Sequence, residues 1–155
     1  MKIHRYVLNL EWTGNRGEGT RTLSGYGREH RISAGAKPPI NGSSDPSFRG
    51  DPTCWNPEEL LVASIAACHK LWYLGLCAEA GVIVQGYTDQ PEGLMVEEAG
   101  GAGQFESVTL RPCVTIAAGS DPELAVALHD KAHAMCFIAR SVNFPIRNLP
   151  TVRTG

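Results

Sequence analysis

The chain has 155 residues, 43% of them hydrophobic and 19% charged, which suits one globular domain able to bury roughly two thirds of its unfolded surface without cross-links. A formal net charge of −2 gives no reason to expect nucleic acid or an anionic membrane as a partner. Five cysteines form an odd set without close metal-ligand spacing, and the N-terminus alternates with polar residues where a secretory signal needs an unbroken apolar run, so a reducing cytoplasm fits best.

From Tyr6 to Trp12, the residues Tyr6, Leu8, Leu10 and Trp12 fall on one side and Val7, Asn9 and Glu11 on the other. That period of two predicts a half-buried strand. TGNRGEG, with Gly14, Gly17 and Gly19, reads as a turn, and it lacks the strand-turn-helix surroundings of a phosphate loop. Thr20–Tyr26 and Glu29–Ile32 read as two further short strands of an antiparallel meander. Ser33 to Trp55 holds three glycines, four prolines and four serines. It is longer than ordinary connections and reads either as an ordered flap over a site or as a mobile link.

Asn56 to Gly81, NPEELLVASIAACHKLWYLGLCAEAG, is a helix with both ends marked. Asn56 suits the N-cap, Pro57 the first position, Glu58 and Glu59 the first turn, and Gly81 the stop. Leu60 to Ala67 is apolar or small on every side except Ser64, so the helix needs cover all round. His69 and Lys70 interrupt it, which favours a core helix over a membrane span.

Val82–Thr88 and Leu94–Glu98 read as strands joined by the turn DQPEG, followed by a longer strand from Phe105 to Ala117 in which Pro112 suggests an edge or a bulge. These make a second three-strand meander. Ser120 and Pro122 with Glu123 repeat the capping grammar and open a second helix, whose Leu124, Ala127, Leu128, Ala132 and Met135 fit one apolar face and which delivers Cys136 near its end. FIARSV continues as helix or forms a short second one until Asn143-Phe144-Pro145 breaks it, and Ile146–Val152 adds a last strand. The expected fold class is α+β, with two antiparallel three-stranded meanders around a long buried helix in a single domain, residues 1–155, and not a doubly wound sheet.

Cys68 and Cys136 are the candidates for chemistry, although spacing alone does not bring them together and two buried core cysteines is the alternative. Cys77 lies about 180° around the helix from Cys68, and Cys54 and Cys113 fall in a loop and a strand. A zinc site from Cys68, His69, His133 and Cys136 is disfavoured, because adjacent helix residues point roughly 100° apart.

The run N-P-E-E-L-L-V-A-S-I-A-A-C at Asn56 to Cys68, the later A-H-A-M-C at Ala132 to Cys136, and E-W-T-G-N-R-G-E-G at Glu11 to Gly19 together resemble the OsmC/Ohr family of thiol-dependent peroxidases. The resemblance implies an OsmC-like fold in an intertwined homodimer, with no cofactor and no metal. It makes Cys68 the peroxidatic cysteine, Cys136 the resolving cysteine, Arg16 the activating arginine and Glu58 the carboxylate that orients it. The implied partners are an organic hydroperoxide substrate and a dithiol reductant of lipoyl or thioredoxin type. A family member that only holds a small ligand or reports redox state is the alternative. Two positions depart from the family's habit: Phe137 follows Cys136 where proline is common, and His69 follows Cys68 where an aromatic residue is frequent.

Overall fold

Only the last four residues of the expected first strand pair with a neighbour in the computed structural model, which describes residues 1–155. The chain divides into two compact units, Met1–Leu60 and Leu61–Gly155. In the first, β1 (Asn9–Trp12), β2 (His30–Ser33) and β3 (Ile40–Gly42) form one antiparallel sheet in the order β1-β2-β3. The expected strand at Thr20–Tyr26 is absent. Its carbonyls are used locally: Arg28 donates to the carbonyls of Tyr26 and Leu23 at 2.6 Å each, and the Gly25 N–H donates to Thr22. The Arg28 guanidinium also sits 4.1 Å over the Tyr26 ring. Gly14 and Gly27 let two backbone segments touch here, because a Cβ on Gly14 would fall 2.0 Å from the Gly27 carbonyl oxygen.

The third strand comes instead from the stretch 33–55, which is ordered. A 3-10 turn at Pro46–Phe48 is capped by the Asp45 side chain, and Trp55 bridges to Gly42. All four residues of β1 are exposed, so the alternation of Leu10 and Trp12 has no core to meet within this unit.

α1 (Pro57–Ala80) starts on a reciprocal cap: the Glu59 N–H donates to Asn56 Oδ1 at 2.8 Å, and the Asn56 N–H donates to the Glu59 carboxylate at 3.1 Å. It stops at Gly81, with φ of 77°, beyond which the Val82 N–H donates back to Cys77. The expected all-round cover is not supplied by one chain. Ile65, His69, Tyr73, Leu76 and Cys77 form one buried stripe, whereas Leu71 is 64% exposed. α1 is long and apolar enough to cross a membrane by length and composition, but its stripe contributes to both core clusters of the second unit.

The second unit carries β4 (Val84–Thr88), β5 (Glu92–Glu97), β6 (Gly103–Leu110), β7 (Cys113–Ile116), α2 (Pro122–Met135), β8 (Ile146–Asn148) and β9 (Thr151–Thr154). The expected second meander is corrected here. β4 and β5 do not pair with each other; the sheets are β4-β7-β9 and β5-β6-β8, each with one antiparallel and one parallel pairing. Prolines cause the division. Pro112 and Pro150 remove N–H groups at matching points of adjacent strands, so the long strand and the last strand each split in two. The pieces stay stitched by Leu149 N–H to Leu110 and Thr151 N–H to Pro112. Pro112 therefore marks a break between two central strands and not a sheet edge.

α2 is capped by Asp121, whose side chain accepts from the N–H groups of Glu123 and Leu124. Ser120, expected to belong to that cap, accepts from the Ile83 N–H at 3.0 Å and ties the helix start to the chain before β4. The buried face of α2 is Ala125, Leu128, His129 and Ala132, rotated from the expected one. Val126 and Met135 are exposed, and a histidine takes a core position.

Candidate functional site

Three contacts set the alignment of α1 and α2. The Tyr73 hydroxyl donates to the Ala125 carbonyl at 2.9 Å, His69 Nε2 lies 3.0 Å from His129 Nδ1, and Cys68 is near enough to Cys136 to raise its thiol. Numbers rise along one helix as they fall along the other, so the two run antiparallel. The sequence-predicted pair Cys68 and Cys136 is thereby brought together, with all five cysteines free.

The two sulfurs differ in surroundings. Cys68 is half-buried, while Cys136 is 1% exposed and sits at the C-cap of α2. Burial pushes the Cys136 thiol up to about 11, opposed by the Ala139 N–H that donates to its sulfur at 3.4 Å and reinforced by the contact with Cys68. A thiol raised this far stays protonated at neutral pH and is a poor first nucleophile, which leaves the more accessible Cys68 to attack. Phe137, following Cys136, packs edge-on against Trp72 of α1 with ring centroids 5.6 Å apart. The departure from proline at this position therefore adds an aromatic wall one helical turn from Cys68.

Sequence reasoning missed the imidazole pair beside the thiols. His69 and His129 are each 1% exposed and stack at 5.3 Å, and the Tyr73 ring lies 3.8 Å from His129. A signal was present: His129, His133 and Cys136 fall at spacings of four and three, on one face of α2. Burial holds both imidazoles down at about 4, with His133 adding to the effect on His69 and His69 to that on His129. Both are below the ordinary 6.5, so the unfolded chain takes up protons before the folded one does. Stability is complete above about 6.5 and is expected to fall as pH drops toward 4, by about 2 kcal/mol at pH 5 for each imidazole that stays neutral. Urea unfolding at pH 7 and pH 5 checks this; equal midpoints would mean that neither ring is buried neutral.

Arg16 stands exposed in the turn between β1 and β2, where Asn15 Oδ1 accepts from the N–H groups of Gly17 and Gly19. Glu58 is half-buried in the first turn of α1. Cys77 is a core residue beside Tyr73 and Val82, and Cys54 and Cys113 are half-buried elsewhere. No group of three His, Cys, Asp or Glu side chains is placed to hold a metal ion, and His69, a member of the disfavoured zinc set, turns its Nε2 to His129.

The chain is 26% identical over 145 residues to the uncharacterised protein YmaD of Bacillus subtilis, covering 92% of this chain and 89% of that one. Its fold matches an OsmC-like protein of unknown function from Vibrio cholerae with a TM-score of 0.85 and 27% identity, over 96% of this chain and all of that one. It also matches the organic hydroperoxide resistance protein OhrB of Bacillus subtilis, with a TM-score of 0.63 and 18% identity over 96% and 98% of the two chains, a likeness of fold. Residues 50–147, more than half of the chain and including both candidate cysteines, match the family model for OsmC-like proteins, and the chain belongs to that family.

Proposed function

We propose that this protein is a thiol-dependent peroxidase that reduces organic hydroperoxides to alcohols, with Cys68 as the attacking sulfur and Cys136 as the resolving one. The observation that carries the reading is the contact of a half-buried Cys68 with a buried Cys136 that keeps its proton. Family membership and the name of the OhrB relative support the substrate class.

The chemistry balances with these two residues. The Cys68 thiolate attacks one peroxide oxygen, the O–O bond breaks, and the leaving oxygen takes up a proton to become the alcohol. Cys68 is left as a sulfenic acid. The Cys136 thiol then attacks the Cys68 sulfur, and the sulfenic oxygen departs with two protons as water, leaving a disulfide. An external dithiol returns two electrons and two protons and is itself oxidised. In this reading Arg16 favours the Cys68 thiolate, since a guanidinium keeps its charge, and Glu58 orients Arg16. The working unit is a cytoplasmic homodimer.

Trp72 and Phe137 beside the thiols favour an apolar alkyl group, worth roughly 0.8 kcal/mol per buried methylene. Purified protein with a dithiol is therefore expected to consume cumene hydroperoxide with a larger specificity constant than hydrogen peroxide. Equal constants would remove the apolar site. No consumption of either would leave the non-catalytic reading, a small-ligand or redox-sensing role.

A further inference from the structure

The peroxidase reading gives the two buried imidazoles no task, yet they stand on the two helices that carry the thiols. His69 directly follows Cys68, and His129 stands seven residues before Cys136, about two turns along the same face of α2. Their 3.0 Å bond is thus a side-chain link across the same helix pair that carries the two sulfurs, Cys68 midway along α1 and Cys136 at the end of α2. Sliding or rotating α2 against α1 would break it and would carry Cys136 away from Cys68. A bond between two imidazole nitrogens needs one ring to donate and the other to accept, so it is lost when both rings are fully protonated.

We propose that His69 and His129 are positioning residues that hold Cys136 against Cys68, and that protonating the pair loosens α2 and suppresses disulfide closure. The proposal rests on the reading of Cys68 and Cys136 as a reacting pair. The surroundings offer a positive charge nothing to lean on. From α1 comes Tyr73, its hydroxyl already committed to Ala125; from α2 comes His133, which disfavours a proton on His69. From β4 comes Tyr87, 5.9 Å from Tyr73, with Asp89 beyond it, while β7 and β9 contribute Val114, Ile116 and Val152. No carboxylate is among the groups that shift either imidazole, and His129 Nε2 has no hydrogen-bond partner. The departure from an aromatic residue at position 69 then has a function: it turns a packing contact into one that a proton can open.

The test follows closure without any peroxide. Reduced protein carrying Cys54→Ser and Cys113→Ser is treated with 4,4′-dithiodipyridine, which reacts at acid pH. One thiol displaces a first thiopyridone and forms a mixed disulfide; the second thiol attacks that disulfide, closes Cys68–Cys136 and releases a second thiopyridone. Thiol ionisation alone slows this second step tenfold per pH unit, on the order expected for any thiol. With both histidines present, an extra loss of about twofold is expected by pH 3.5, where more than half of the pairs carry two protons, and it deepens below that. His129→Gln should keep much of the closure rate at pH 7 and lose the extra step; His69→Leu with His129→Phe should close more slowly at pH 7 and also lose it. An unchanged profile in both variants overturns the proposal, as does failure of the parent protein to close at pH 7. If the variants do not fold, nitrogen NMR of the parent's imidazoles decides, since titration at a pH different from the step would also overturn it. A protein that closes with this reagent but consumes no hydroperoxide refutes the peroxidase reading alone.

Discussion

Treating the reduced protein with an organic hydroperoxide is expected to produce a Cys68–Cys136 disulfide within one chain, readable by peptide mapping. The expectation follows from the two environments. Cys136 is buried and pushed up to about 11, so it is a poor first nucleophile, whereas Cys68 is half-buried and more open to a substrate. Once Cys68 is a sulfenic acid its sulfur is electrophilic, and the neighbouring thiol is already within reach. Cys68→Ser should therefore abolish peroxide consumption. Cys136→Ser should leave one turnover and a sulfenic acid that a dimedone-type probe traps. Cys77 makes the control: it is buried against Tyr73, and its thiol is pushed up by burial, so it should stay reduced throughout. Pairing of Cys68 with Cys54 or Cys77, or a stable unpaired Cys68 in the parent protein, would refute the two-cysteine mechanism.

The parts legible in the sequence were those whose signals are local. Asn56, Pro57, Glu59 and Gly81 carry the two ends of α1 in their own backbone preferences, and the structure uses them so. The three-stranded start was legible in kind, but its third member was not. Thr20–Tyr26 has strand-like composition, and only the reach of Arg28 back to two of its carbonyls spends what a ladder would need. Strand pairing in the second unit was hidden because partners are chosen across long separations: β6 joins β8 and β7 joins β9 in parallel, and nothing local encodes that. The same limit applies to the site. Cys68 and Cys136 were visible as residues, but their contact depends on the antiparallel seating of α1 on α2. His129 was hidden for the opposite reason, since a histidine on a helix reads as a surface residue until a second imidazole is found to satisfy it.

Mixing an inactive Cys68→Ser chain with an inactive Arg16→Ala chain, after unfolding and refolding together, is expected to restore activity to up to about half of the heterodimer's sites. α1 runs unbroken from Pro57 to Ala80. Ten residues on an unbroken helix separate Glu58 from Cys68 by about 15 Å along the axis and roughly 80° around it. If Glu58 orients the arginine that serves Cys68, then Glu58 and Arg16 come from a second copy, whose equivalent helix packs antiparallel across a two-fold axis. The uncovered surface agrees with a partner of that kind. Leu71 on α1 is 64% exposed, and Tyr6, Val7, Leu8 and Leu10 before and within β1 are between 61% and 84% exposed, more apolar surface than an isolated chain ordinarily leaves in contact with water. In a heterodimer one shared site would then carry both defects and the other neither, so the second regains full activity. Sedimentation showing a fully active monomer would exclude this arrangement, and heterodimers that form yet remain inactive would place Arg16 in the site of its own chain.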